Sequence, residues 1–173
     1  MMKPRFLMRA VLLVVAVGGC ADTDQDLTLK QLVTRAQDHQ TRDEHDEAIR
    51  YYTLAIEREP RNFAMRNNRA TAYMAVGEYD KVLVDLTAAI RFGKDQSPDP
   101  YINRASLYYN AGLLEEAKVD IDQAIEVSPT HGEAHWVRGA ILMAQNKTQE
   151  AKRDLQKARD LGFQPRDEAA SAR

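Results

Sequence analysis

The chain has 173 residues, of which 44% are hydrophobic and 29% are charged, and this composition is typical of a folded globular protein rather than a disordered one. Its 24 basic residues nearly balance its 26 acidic residues, so no basic excess predicts nucleic acid as a partner. The single cysteine, Cys20, excludes an intrachain disulfide and a thiolate-rich metal site.

The N-terminal segment has the layout of a secretory leader. Lys3, Arg5 and Arg9 form a basic head without an acidic residue, and an apolar run follows at 10–17. This run is shorter than the ~20 apolar residues that a transmembrane helix needs. A basic head, a short apolar stretch and small residues at its end are typical of a signal peptide. The sequence VGGC at 17–20 closes the segment, and the chain then becomes acidic and polar.

The VGGC sequence resembles the lipobox of bacterial lipoproteins, in which the cysteine thiol carries a diacylglycerol and the leader is cut just before it. The resemblance implies that 1–19 are a cleaved signal peptide, that Cys20 is lipidated, and that 20–28 form the lipidated cysteine and a short polar tether. Several acyl chains, palmitate among them, suffice for stable anchoring. In that family an aspartate after the cysteine is typical of inner-membrane retention, so by the same resemblance Ala21 implies the outer membrane, facing the periplasm. An ordinary cleaved leader and an uncleaved anchor are the alternatives.

Small residues, with the larger Val82 at one position, recur along the rest of the chain in three sets, and each set steps by 34, 35 and 34 residues. Turn-forming residues recur between the first and second sets. Internal periods of this length predict a solenoid of stacked units. The sets are Ala36, Ala70, Ala105 and Gly139; Ala48, Val82, Ala117 and Ala151; and Ala55, Ala89, Ala124 and Ala158; the turn formers are Asp43, Gly77, Gly112 and Asn146.

Each unit is predicted to be a pair of helices. The second unit shows this best, with helical apolar periodicity over 63–76 and 79–92, and the last helix is predicted at 148–161. Gly77 breaks the chain between the two helices of the second unit. One additional residue separates the second and third units, where Ser97-Pro98 predicts a helix cap and a first-turn proline.

This pattern resembles the tetratricopeptide repeat (TPR) family. The match includes the small residues, Tyr73 and Tyr108 in the first helices, and Pro60 and Pro129 at the ends of units. The resemblance implies an all-α fold, a right-handed superhelical solenoid of four TPR-like antiparallel helix pairs, whose concave face binds peptides or proteins. The predicted units are TPR 1 at 29–62, TPR 2 at 63–97, TPR 3 at 98–131 and TPR 4 at 132–165, followed by a flexible tail at 166–173.

Arginine precedes the first small residue of every unit, and an aspartate follows it by 16 residues in the last three units. In a helical hairpin this separation places the two side chains opposite each other, within a unit or between neighbours. We predict structural ion pairs, because anion binding, the alternative, would need surplus positive charge. Tyr51 replaces the aspartate in the first unit, so Arg35 is expected to be freer. The predicted pairs are Arg69–Asp85, Arg104–Asp120 and Arg138–Asp154.

The resemblance implies that the first helix of each pair lines a concave groove. Asparagine amides in such a groove donate to a peptide carbonyl and accept from its N–H, so they bind the peptide backbone whatever its side chains are. Aromatic residues and methionine offer adaptable apolar contact, although they serve equally well to cover the hairpin beneath them. The predicted partner-binding residues are Asn67, Asn68, Met74, Ile102, Asn103, Tyr109, Trp136 and Met143.

One known activity of the family is not implied by these residues. Family members that clamp the C-terminal carboxylates of chaperones use lysines and an arginine in the groove. The corresponding positions here are Val33, Asp99 and Asn103, and only Asn68 matches the clamp pattern.

Candidates for catalysis or metal binding are few. His39 and His45 fall where other units place tyrosines, so packing explains them. His131 and His135 hint at a metal site, but they do not have the metalloprotease spacing and lack a third fixed ligand. The sequence has no nucleophile elbow, phosphate-binding loop or dinucleotide fingerprint. We therefore expect no metal, no cofactor and no enzymatic activity.

Three classes of function are consistent with these features. The leading one is a lipid-anchored scaffold of the bacterial cell envelope that binds a protein or peptide partner and assists pilus, secretion or peptidoglycan-machinery assembly. The alternative is a periplasmic chaperone-like protein that binds extended segments. An enzyme, the third class, has only the weak histidine cluster in its favour. The sequence identifies neither the partner nor the oligomeric state.

Overall fold

The computed structural model describes residue 24 and residues 26–165, and this part of the chain folds into eight α-helices without a strand. The predicted signal peptide, Cys20 and the predicted tail at 166–173 lie outside the described residues. No helix in the described part is long and apolar enough to cross a bilayer. The helices are α1 (Leu29–Thr41), α2 (His45–Arg58), α3 (Phe63–Ala75), α4 (Tyr79–Gly93), α5 (Asp99–Asn110), α6 (Leu114–Val127), α7 (Gly132–Ala144) and α8 (Thr148–Asp160).

Consecutive helices pack as four antiparallel pairs, α1 with α2, α3 with α4, α5 with α6 and α7 with α8. The second helix of each pair also packs against the first helix of the next pair, so the pairs stack in chain order. Along the stack α3 contacts α5 and α5 contacts α7, whereas the second helices within the described residues have no comparable contact with one another. The first helices therefore form the inner layer of an all-α superhelical solenoid, as predicted.

A turn with left-handed backbone geometry closes each pair, at the residues predicted to form turns. The φ angle is +80° at Gly77, +77° at Gly112, +59° at Asp43 and +62° at Asn146. In all four turns the next N–H donates to the carbonyl five residues before it, which ends the first helix. Glycine adopts this geometry freely, whereas a residue with a side chain incurs a steric cost of about 1 kcal/mol.

The repeated small residues lie where paired helices approach most closely. Ala36, Ala70 and Ala105 are fully buried, and a Cβ added at Gly139 would lie 2.8 Å from the side chain of Leu155. A larger side chain at these positions would force the helices apart. The repeat of small residues therefore determines the separation of the helices within each pair.

Several helix ends differ from the prediction by one residue. The helices α3 and α8 end one residue earlier than predicted, and α4 ends one residue later. The predicted cap and first-turn proline also shift, because Pro98 is the N-cap of α5 and Pro100 lies in the first turn. The Ser97 hydroxyl accepts the N–H of Asp99 at 3.2 Å and so still satisfies the start of the helix.

The part of the predicted tether that the structure describes packs against the first pair. Leu27 is only 3% exposed and belongs to the core formed with α1 and α2. The Arg58 guanidinium donates to the Leu27 carbonyl, and Arg50 pairs with Asp24. Thr28 then starts α1 with a capping box. The chain thus enters the solenoid along α2, a helix of the outer layer.

Candidate functional site

The inner face of α3 and α5 carries a row of side-chain amides. Asn67, Asn68 and Asn103 are half-buried, and Nδ2 of Asn103 donates to Oδ1 of Asn67 at 2.9 Å. This bond crosses from α5 to α3 and orients both amides. The Asn67 nitrogen and the Asn103 oxygen have no other side-chain partner among the described residues. They can therefore donate to, and accept from, an extended peptide backbone.

A buried tyrosine connects this row to the first pair of helices. Tyr52 is fully buried, and its hydroxyl donates to Oε1 of Gln40 at 3.0 Å. Burial raises the pKa of Tyr52, and a side-chain hydrogen bond with Asn68 opposes the rise only in part. Asn68 therefore lies near the Tyr52 hydroxyl, at the junction of α1, α2 and α3. Gln40 precedes Met74 by one repeat of 34 residues and so belongs to the same predicted groove row, and its bond with Tyr52 ties that row to the core.

The part of the groove nearer the C-terminus is apolar. Trp136 is half-buried, and its ring centroid lies 6.0 Å from that of Phe163, which follows α8. Tyr109 and Met74 are also half-buried, and Met143 is 47% exposed. Trp136 and Met143 are seven residues apart on α7, so they share one helical face. Side chains of this kind commonly anchor a bound polypeptide.

The predicted groove residue Ile102 is buried instead. Its side chain is 2% exposed and belongs to a core cluster with Tyr101 on its own helix and Val137 on α7. The phase of Ile102 on its helix matches that of Asn67 and Trp136, but the contact between α5 and α7 covers it. Ile102 therefore forms part of the floor of the groove.

The three predicted ion pairs are present, each with two hydrogen bonds between an arginine and a buried aspartate. Arg69 donates from Nε and Nη2 to the two carboxylate oxygens of Asp85 at 2.7 and 2.8 Å, and Asp85 is 1% exposed. Such bidentate pairs are the strongest form of arginine–carboxylate contact. The other two are Arg104–Asp120, at 2.6 and 2.7 Å, and Arg138–Asp154, at 2.7 and 2.8 Å.

These contacts shift the pKa values of the paired groups. Burial acts to lower the pKa of Arg69, but its hydrogen bond and charge interaction with Asp85 raise the pKa overall. Burial likewise acts to raise the pKa of Asp154, but hydrogen bonds and charge interactions with Arg138 and His135 lower it overall. The charged form of each group is therefore stabilised by its ion-pair partner in place of solvent.

The arginines also contact the preceding unit. Each ion pair forms within one unit, and the remaining guanidinium nitrogen donates to an oxygen on the second helix of the unit before. The three acceptors recur at 34 and 35 residues, a signal that the sequence contains. We call these pairs and contacts the arginine ladder, and its role is to join units. The contacts are Arg69 to Thr53 at 3.0 Å, Arg104 to Thr87 at 3.2 Å and Arg138 to Asp122 at 3.1 Å.

The first unit lacks an ion pair of this kind. The guanidinium of Arg35 lies 5.8 Å from the ring centroid of Tyr51, and Arg35 has no carboxylate partner in the described residues. The Tyr51 ring stacks on His39 at 5.3 Å between centroids, and Arg50 lies 5.1 Å from the same ring. Aromatic and cation–π contacts therefore take the place of the buried carboxylate here.

The histidines suspected of metal binding make local contacts. Nε2 of His135 lies 2.9 Å from the Pro129 carbonyl, and Nδ1 lies 3.3 Å from Asp154. Two repeats earlier, at the same position, Arg66 also donates to a proline carbonyl and to a buried aspartate, those of Pro60 and Asp85. The position is therefore structural in both units. Nε2 of His131 lies 3.6 Å from Asp99. The described residues contain no group of three or more side chains placed to hold a metal ion.

Four stacked helix pairs with an amide-lined inner face define a helical-repeat protein. The family model of the tetratricopeptide repeat matches residues 33–93 and 102–165, and the chain belongs to the tetratricopeptide repeat family. Repeats of this family mediate protein–protein interactions and are typically not catalytic.

Curated relatives align with part of the chain, among them a co-chaperone and a phosphatase. It is 34% identical over 97 residues to the tetratricopeptide repeat and J domain-containing co-chaperone DNJ1 of Fusarium oxysporum f. sp. lycopersici, a match covering 56% of this chain and 18% of the relative. It is 32% identical over 123 residues to serine/threonine-protein phosphatase 5 of Mus musculus, covering 66% of this chain and 24% of the phosphatase. The chain thus spans about a quarter or less of the length of these relatives.

Solved structures share the fold. A crystal structure of MamA protein superposes with a TM-score of 0.67 at 16% identity, covering 78% of this chain and 73% of the other. The first TPR of Spaghetti (RPAP3) bound to the HSP90 peptide SRMEEVD superposes with a TM-score of 0.59 at 24% identity, covering 73% and 92%. At these identities the similarity shows the fold alone.

Proposed function

We propose that the protein is a lipid-anchored scaffold of the bacterial cell envelope that binds a protein or peptide partner in its concave groove. The observation that carries the proposal is the row of oriented amides on α3 and α5 beside the apolar face of α7. A bound segment would form backbone hydrogen bonds with Asn67 and Asn103 and apolar contacts with Trp136 and Met143. Assembly of pilus, secretion or peptidoglycan machinery is the kind of process that such a scaffold assists.

The groove is tested by truncating its largest side chain. An anchoring aromatic residue typically contributes ~2 kcal/mol or more, so Trp136→Ala should weaken partner binding roughly thirtyfold. Arg153→Ala, on the exposed face of α8, should leave the affinity nearly unchanged. Circular dichroism of both variants checks that the helices remain. Loss of binding in Arg153→Ala with full binding in Trp136→Ala would place the partner on the outer layer instead.

The lipid anchor is supported by the VGGC sequence, and the pairing of Asp24 with Arg50 places the start of the described chain beside α2. Only three residues separate Cys20 from Asp24, and four fully extended residues span about 14 Å. A lipid on Cys20 would therefore hold the first pair of helices close to the bilayer surface, with the outer membrane's periplasmic face as the proposed site. Cys20→Ser should abolish labelling by fatty-acid precursors and sedimentation with membranes. Undiminished labelling of this variant would refute the anchor.

A chaperone-like role is the alternative, because backbone hydrogen bonding and flexible methionines tolerate many sequences. Met74 and Met143 supply the adaptable contacts. Pull-down from detergent-solubilised membranes separates the two roles. A scaffold should retain one or a few partners in fixed ratio, whereas a chaperone-like protein should retain many unfolded chains.

A further inference from the structure

The groove-lining helices α3, α5 and α7 have no cation available for an anionic partner. They contain no lysine, and each of their arginines is bonded to an aspartate on the second helix of the same pair. Lys30 and Arg35 are the cations of α1, at the far end of the groove. The aspartates of the outer helices therefore neutralise the positive charge of these inner helices. The arginines concerned are Arg66, Arg69, Arg104 and Arg138.

Two carboxylates at the rim of the groove remain exposed. Asp99 and Glu133 lie in the first turns of α5 and α7, where negative charge also stabilises the helix. The Asp99 side chain is 58% exposed, and Nε2 of His131 lies 3.6 Å from it. Because His131 directly precedes α7, both carboxylates lie at the same end of neighbouring inner helices. The rim beside the apolar surface is therefore acidic.

The acidic rim adjoins the amides and the apolar anchor. Glu133 lies one helical turn before Trp136, and Asp99 lies one turn before Asn103. A basic side chain paired with Glu133 would thus be next to a residue packed on Trp136. A lysine or arginine in this position also gains from the face of the indole ring.

We propose that the groove recognises an extended segment in which lysine or arginine adjoins an apolar residue, and that it rejects acidic C-terminal tails. The inference rests on the proposed groove function and specifies the chemistry of the partner. Electrostatic complementarity of this kind contributes chiefly to specificity and to the rate of association. The proposal depends on the charges of the groove, because an acidic tail would meet the rim carboxylates and find no unpaired cation on α3, α5 or α7.

The test is selection from a random 12-residue peptide library on the purified full chain in detergent. The same library is selected on Trp136→Ala, on Asp99→Asn/Glu133→Gln, and on Glu116→Gln. Glu116 is the matched control, because it is an exposed glutamate in the first turn of an outer helix. Peptides whose recovery requires Trp136 should be enriched in Lys or Arg beside an apolar residue, and the double variant should lose this enrichment.

The affinity of the most enriched peptide gives the second readout, by fluorescence anisotropy. We expect five- to tenfold weaker binding to the double variant at 50 mM salt, a difference that shrinks towards twofold at 0.5 M salt because screening weakens exposed charge contacts. Glu116→Gln should bind as the wild type does. Trp136-dependent peptides that are neutral or acidic would overturn the charge inference while leaving the groove function intact. Absence of any Trp136-dependent peptide would overturn both.

Discussion

The first helix pair and the three that follow use the same backbone arrangement but different side chains to hold it. In the last three pairs a buried aspartate bonds an arginine of the inner helix, which in turn contacts the preceding pair. In the first pair Tyr51 replaces the aspartate, and Arg35 and His39 pack on its ring. Tyr52 and Gln40 provide the polar contact instead.

This difference shows what the arginine ladder does. The first pair has no preceding unit in the described residues, so an arginine there has no second-helix oxygen behind it to contact. A buried carboxylate is favourable only when its partner bonds are complete, and an aromatic ring needs no such partners. The ladder therefore joins neighbouring repeats, and its first member lies at the junction of the first and second helix pairs.

The largest expected effect comes from removing a ladder aspartate. Asp85→Ala leaves Arg66 and Arg69 without their carboxylate in a buried site, which should cost ~3–5 kcal/mol of unfolding free energy. Arg35→Ala in the first pair should cost less than ~1 kcal/mol, because no ion pair is lost. Urea denaturation measures both. Similar losses in the two variants would contradict the distinction between the pairs.

A second prediction concerns what all the pairs share. Ala117→Leu should overpack the approach of α5 and α6 and cost ~1–3 kcal/mol. Ala48→Leu in the first pair should cost a similar amount, since both alanines are fully buried. Thermal unfolding followed by circular dichroism measures the two losses. A variant that unfolds like the wild type would show that its pair tolerates a larger separation.

The third prediction uses pH to isolate the ladder. The folded-state pKa of Asp154 lies below its ordinary value of 3.8, so its stabilising contribution is present above that value and is lost as pH falls through the folded-state pKa. Asp154→Asn should lose about 1.5 kcal/mol at pH 7. The difference from wild type should narrow below pH 4, as measured by urea denaturation at several pH values. A difference that stays constant down to pH 2 would exclude a charge-based contribution.

The smallest expected effect concerns the turns. Asp43→Gly and Asn146→Gly should each stabilise the protein by ~0.5 kcal/mol, because relief of left-handed strain outweighs the greater freedom of glycine in the unfolded chain. Gly77→Asn, at φ +80°, should destabilise it by a comparable amount. Thermal melts of the three variants provide the comparison. Destabilisation by Asn146→Gly would mean that the Asn146 side chain contributes a contact of its own.

The repeat, the helix pairs and the ion pairs were predictable from the sequence. A period of 34 or 35 residues with small residues and turn formers at fixed phase is a local pattern, and it determines which helix faces meet. The ion pairs followed because residues 16 apart in a hairpin are opposite each other. Partner binding at Asn68, Trp136 and the other groove residues remains a prediction.

Contacts between units were decided by the tertiary structure. Ile102 has the phase of a groove residue, but the approach of α5 to α7 buries it. The bond between Asn103 and Asn67 likewise depends on how far one pair is rotated against the next. That rotation depends on the packing of side chains from three helices together. The helical period in the sequence shows only which face of each single helix is apolar, so it does not determine the rotation. The sequence therefore determined which residues face inward, and the stacking of the pairs decided which of them remain exposed.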